Sequence, residues 1–224
     1  MKKLLIALAV AGCAATAANA GSVSFDFNLP VTQSTTEINK NYSLGLFDSA
    51  LGTLTGANIE FFGAATFNYT GTNGATGIET AKLTATTDLS FNTTLAALTG
   101  VLPASLSFSS VSGPFSYAIG ETKAFGPIVD SNSVTVDLAS ILASLQANGG
   151  GNFGVGCTSL SGFTVLGGGG NISTTQNTTA GCGAKITYVY DTTPPNDVPE
   201  PGSLALMGMA MLGLGAMRRK ANKG

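Results

Sequence analysis

Three kinds of side chain in this sequence could do chemistry, and each points to a narrow set of reactions. Cys157 and Cys182 are the last two of three cysteines and stand 25 residues apart. In an oxidising compartment such a pair most often forms a structural disulfide. No Cys-x-x-Cys spacing and no neighbouring Arg or His favours a reactive thiolate instead. The acids Asp48, Glu60, Glu79, Asp88 and Glu121 could supply the carboxylate pair that hydrolyses a glycosidic bond without histidine. They are spread as thinly as acids on any solvated surface, and no local pattern selects two of them. Tyr42, Tyr69, Tyr117, Tyr188 and Tyr190 could stack on sugar rings. Tyr188 and Tyr190 share one face of a strand-like segment, where packing is the more ordinary role.

Much chemistry is excluded outright. The 224 residues contain no His, so a Ser/His/Asp or Cys/His catalytic set cannot form, nor can a His-ligated metal site. Asp130-Ser131-Asn132-Ser133 lacks the rest of an EF-hand loop, and the Gly-rich runs lack the Asp of a calcium-binding nonapeptide. No cofactor, metal or catalytic residue is expected, and the chain reads as non-enzymatic. Charge adds a further exclusion. Residues 21–201 hold four Lys and all twelve acids, a net of −8 without a single Arg. Such a body is a poor partner for nucleic acid or anionic lipid. Asn41, Asn68, Asn92, Asn171 and Asn177 each begin an Asn-x-Ser/Thr triplet, as composition alone would produce in a chain this rich in Asn and Thr.

The two ends read as addresses. Lys2-Lys3, an apolar run from Leu4 to Ala11 and a stretch of small residues make the three parts of a secretory signal peptide over residues 1–20. Ala18-Asn19-Ala20 fits the small-x-small pattern of a signal peptidase site, with cleavage before Gly21. Val10-Ala11-Gly12-Cys13 is open to a second reading, a lipobox with Cys13 as lipid anchor; a membrane signal at the other end favours ordinary cleavage. There, Val198-Pro199-Glu200-Pro201 leads into an apolar segment, residues 203–217, and then Arg218-Arg219-Lys220. A helix of that length rises roughly 22 Å against ~30 Å of hydrocarbon, a short transmembrane span. The basic cluster should stay cytoplasmic and the body exported. Asp191-Thr-Thr-Pro-Pro-Asn-Asp197 reads as spacer, with residues 192–198 linking the body to the tail at 199–224.

A Pro-Glu-Pro motif, a short hydrophobic helix and an Arg-rich cluster in that order resemble a PEP-CTERM sorting signal. The resemblance implies processing by an exosortase, a membrane protease-transpeptidase. It also implies a Gram-negative producer and transient retention in the inner membrane with the body periplasmic. Release to the cell surface or the extracellular matrix of a biofilm would follow. The partners implied are the export machinery, signal peptidase and exosortase, with exopolysaccharide as a candidate in the matrix.

What lies between, residues 21–191, reads as strands. Val23, Phe25, Phe27 and Leu29 alternate with Ser24, Asp26 and Asn28. Further strands are expected at 57–62, 64–70, 78–88, 106–110, 115–119, 133–137, 163–166 and 185–190, separated by Gly-rich turns such as 71–74 and 167–170. Many short strands with such turns predict an all-β fold, an antiparallel β-sandwich. One short helix is expected over 138–147, capped by Asp137, with Leu138, Ile141, Leu142 and Leu145 as an apolar stripe plugging one end. Leu46-Phe47-Asp48-Ser49-Ala50-Leu51-Gly52-Thr53-Leu54-Thr55 is similar to a segment of the choice-of-anchor E domain family. That resemblance implies an exported β-rich domain carried on alternative anchoring tails and names no ligand.

Overall fold

The structure, a computed structural model, describes residues 20–192 except Ala104. Ala18, Cys13, the Pro-Glu-Pro motif, the apolar segment 203–217 and the basic cluster lie outside the described residues. In chain order the strands are β1 (Ala20–Phe27), β2 (Ser34–Thr35), β3 (Asn39–Gly45), β4 (Phe47–Asp48), β5 (Gly52–Asn73) and β6 (Glu79–Thr93). They continue with β7 (Leu106–Val111), β8 (Phe115–Tyr117), β9 (Thr122–Asp137), β10 (Gln146–Ala147), β11 (Asn152–Gly167) and β12 (Ile172–Thr192). A single turn of α-helix, α1 (Ala96–Thr99), carries the buried Leu98.

Alternation decides the architecture. Along β5 and β6 buried and partly exposed positions succeed one another almost residue by residue, so each strand has one apolar face that must be covered. Two sheets cover each other. One has the order β1-β12-β5-β9, with β2 also on β12; the other is β3-β11-β6-β7, with β8 also on β6. Counting only the eight long strands, the first sheet holds the first, eighth, third and sixth. The second holds the second, seventh, fourth and fifth. That distribution is a jelly roll, a sandwich of two interlocked Greek keys. Ile59, Phe61, Phe67, Leu83, Leu89, Phe108 and Tyr188 fill the space between the sheets and are fully buried.

Strand limits differ from expectation in instructive ways. The strands expected at 57–62 and 64–70 are one, because Gly63 lies over Phe108 and Leu89 as a packing position and interrupts nothing. The glycines at 71 and 74 predict a turn, yet Gly71, Thr72 and Asn73 belong to β5. The expected helix is also corrected. Ala139–Ser144 is 3-10 with Ile141 at φ −124, outside helical space, and Gln146–Ala147 instead pairs with β4. The reason is where the leucines must go. Leu138 and Leu145 are both fully buried, and their ends are tied to strands by the Leu138 N–H to the Ala57 carbonyl and the Phe47 N–H to the Leu145 carbonyl. The tighter-wound 3-10 segment rises about 2.0 Å per residue against about 1.5 Å for an α-helix, and so covers more of the distance between those ties. Asp137 still receives the Ala139 N–H at 2.8 Å, and Ile141 and Leu142 pack on the core, so the segment plugs the sandwich end.

Cys157 on β11 and Cys182 on β12 are disulfide-bonded and buried, one in each sheet, with Cα atoms 6.7 Å apart. The chain between them is largely β-strand, where the sequence predicts a strand only at 163–166. Closing a loop of 25 residues removes roughly 3–4 kcal/mol of unfolded-state entropy in the chain-entropy model. Replacing both cysteines by serine should therefore lower the melting temperature by roughly 10 °C. Calorimetry with and without reductant checks this; an unchanged melting temperature would mean that inter-sheet packing alone holds β12.

Candidate functional site

The residues that carry the sorting tail are those at the end of β12. This strand runs antiparallel to β1, from Phe27↔Ala184 to Gly21↔Tyr190 and Ala20↔Asp191. Both ends of the body therefore emerge at the same place, side by side. The expected cleavage point between Ala20 and Gly21 falls on the first pairs of β1. Gly21 is covered there by the Tyr190 ring: a Cβ at Gly21 would stand 2.8 Å from the Tyr190 hydroxyl oxygen.

β12 is held along its whole last third. The Tyr188 ring is fully buried, with Phe25 edge-on at 6.1 Å and Phe47 tilted at 5.8 Å, and its hydroxyl donates to the Gly45 carbonyl at 2.9 Å. Tyr190 meets Phe47 at 5.1 Å. Ser24 Oγ and Thr187 Oγ1 hydrogen-bond across the outer face at 2.9 Å. The spacer thus begins one or two residues beyond a strand anchored by packing, ladder bonds and the disulfide.

The tyrosines considered for sugar stacking go elsewhere. Tyr188 and Tyr117 are both fully buried and cannot present a ring to a ligand. Tyr188 and Tyr190 do share a face, as alternation requires, but it is the inward one. An aromatic ring on that face buries some of the largest apolar area available to one side chain. Tyr69 is buried too, its hydroxyl 3.1 Å from Ser110 Oγ. Tyr42 is stacked on Phe27 with ring centroids 4.2 Å apart.

The five acids are dispersed, four of them into structural roles. Asp48 Oδ1 accepts from the Ala50 and Gly149 N–H groups, each at 2.9 Å. Glu60 accepts from Ser133 Oγ at 2.9 Å, and Glu79 from Asn171 Nδ2 at 3.3 Å. Glu121 accepts from Lys123 Nζ at 2.6 Å and from the Ala118 N–H at 2.7 Å, which hold its carboxyl below the usual range. Asp88 faces out from β6.

One feature escaped sequence reasoning. Where β5 and β9 change register, the outer face of the first sheet opens into a depression of about 260 Å³ lined by residues of β5, β9 and β12. Its two amides unpartnered among the described residues, Asn68 on one side and Asn177 on the other, are more than a hundred positions apart in sequence and meet only through strand pairing.

With this geometry in place, comparison with known proteins bears on the tail. The family model of the PEP-CTERM protein-sorting motif matches residues 197–220. The chain therefore carries a C-terminal signal of the class that directs exported proteins through the membrane to exosortase processing. No curated protein matches the chain. Among solved structures, chains from infectious bursal disease virus strains Gt and Gx align at 11% and 10% identity over 88% and 87% of this chain. This chain spans about half their length (48% and 46%), and the TM-score of 0.19 in both cases assigns neither fold nor function.

Burial pushes the Tyr188 hydroxyl well above its ordinary value of about 10, and raises Tyr117 as well. Because the folded pKa is the higher one, the contribution is complete below about pH 10. It is lost as pH rises further, since the unfolded chain ionises first. Thermal melts should be level through neutral pH and fall beyond about pH 10. Tyr188→Phe should soften that alkaline fall while costing about 1–3 kcal/mol at neutral pH, through the Gly45 carbonyl left unpaired. An alkaline fall of the same steepness in Tyr188→Phe would remove Tyr188 as its source.

Proposed function

We propose that this is a non-enzymatic protein of the cell surface and extracellular matrix of a Gram-negative bacterium. It is exported, cleaved before Gly21, held briefly in the inner membrane by residues 203–217, and processed by an exosortase at Val198-Pro199-Glu200-Pro201. The observation that carries this reading is the sorting-motif match over 197–220, beginning five residues after the last described position of β12. The basic residues Arg218, Arg219 and Lys220 would stop transfer on the cytoplasmic side.

The body supports a structural role. Four of the five candidate acids are engaged in caps and cross-strand bonds, and a chain without His lacks the commonest general base. The linker expected at 192–198 overlaps β12 at Thr192, and the six residues 193–198 that follow can extend no more than about 20 Å. Cleavage beside so short a tether needs a body that does not fray, and the anchoring of β12 meets that need.

Mass spectrometry of protein recovered from the matrix of an exosortase-containing host tests the proposal. The mature protein should begin at Gly21 and lack the residues beyond the Pro-Glu-Pro motif. Glu200→Ala should leave the full tail attached and the protein in the membrane fraction. Matrix protein still ending at Gly224 would overturn the reading, and an N-terminus at a lipidated Cys13 would replace its first step.

A further inference from the structure

β5 and β9 pair without a break from Asn58↔Asp137 to Phe67↔Ile128, then resume at Tyr69↔Phe125 and continue to Thr72↔Thr122. Between these stretches one residue, Asn68, faces two, Gly126 and Pro127: a β-bulge. The sequence enforces it. Gly126 sits at φ +114, and any Cβ there would collide with the Phe67 carbonyl oxygen. Pro127 has no N–H to offer the ladder. The extra residue shifts the alternation of β9, whose core-facing positions pass from Phe125 before the break to Val134 and Val136 beyond it, while Asn68 keeps its outward place on β5 opposite the bulge.

The depression beside it is chemically specific. Asn68 and Thr70 of β5, Phe125 and Gly126 of β9, and Gln176 and Asn177 of β12 line it, and no lining side chain carries a charge at neutral pH. Thr70 Oγ1 is 2.7 Å from Thr175 Oγ1, and Gln176 Nε2 donates to Thr178 Oγ1 at 2.8 Å. The Asn68 and Asn177 side-chain amides bond to nothing among the described residues. Each therefore offers donors and an acceptor side by side, the complement of neighbouring hydroxyls on a sugar ring. With no cation, the site has nothing to hold a phosphate or uronate; with no carboxylate, it has nothing to hold a metal.

We infer that this bulge depression is a binding site for neutral polysaccharide. Its volume of about 260 Å³ lies below that of pockets enclosing a whole small molecule. It suits a sugar unit of a polymer whose remainder stays in solvent. Asn177 lies roughly 50 Å along the strand from the end of β12. The inference deepens the matrix reading above and rests on it for the ligand's presence.

The test uses the full chain purified in detergent, run by affinity electrophoresis through gels containing dextran, galactomannan or xyloglucan, with alginate as the anionic arm. At least one neutral polymer should retard the protein. Asn68→Ala with Asn177→Ala should weaken that retardation by about tenfold, with melting temperature unchanged, because neither amide supports the fold. Asn58→Ala, on the same strand away from the bulge, should behave as wild type. Passage unretarded through all neutral gels, retardation by alginate alone, or a double variant that binds as wild type would each overturn the inference. None of these outcomes depends on C-terminal processing, which is read separately by mass.

Discussion

The body depends on how one strand is shared. β12 is hydrogen-bonded to β1 and β2 on one side and to β5 on the other, and Cys182 joins it to β11 across the sandwich. It is also the last strand among the described residues, and without it the first sheet would lose its link between β1 and β5, and the core would open over Ile59 and Phe61. The disulfide acts where this matters most. It ties the eighth long strand to the seventh, which lies in the opposite sheet, and so closes the jelly roll at the point where a chain end could otherwise peel away. Buried Tyr188, six residues further on, continues the hold almost to the spacer.

How much of this is legible in the sequence depends on range. The alternation of Val23, Phe25 and Phe27 announces β1, and the same signal in β6 and the end of β12 is equally plain. β3 escapes, because only Tyr42 and Leu44 turn inward from a run of polar residues. The first half of β11 escapes for a different reason. Gly154 and Gly156 read as loop, yet they are paired residues over which Thr94 and Asn92 lean from the adjoining strand segment. The Thr- and Asn-rich start of β12 likewise reads as loose chain, though its role is to carry outward hydroxyls. The leucine stripe at 138–145 correctly names a plug and incorrectly names its helix, because periodicity records which residues are buried and not where their backbone ties lie.

The sites divide in the same way. A sorting signal is recognised as linear sequence by another protein, so its parts must be contiguous and are visible without a fold. The depression beside Asn68 is the opposite case. It needs a register shift between β5 and β9 and a third strand more than a hundred residues away, and no local pattern records such a meeting. The tyrosines mislead for the converse reason: composition marks them as able to stack, and only burial shows that the fold has already used their rings.

The bulge has a second consequence that bears on an exported protein concentrated at a surface. β9 ends its sheet with 16 residues and no strand on its outer side among the described residues. A flat edge of that length is a template for pairing with another copy. Gly126 and Pro127 interrupt it near its first third, the proline withholding a donor and the glycine bending the strand. Lys123 and Asp130 place charges on either side of the break, and β6 of the opposing sheet is bordered on its side away from β11 only by the short β7 and β8, of six and three residues. One irregularity therefore blunts this long exposed edge and, on the outer face of the same strands, opens the polar depression beside Asn68. Restoring regular pairing there would close the depression and lengthen the edge together, so the two properties are coupled through the same pair of residues.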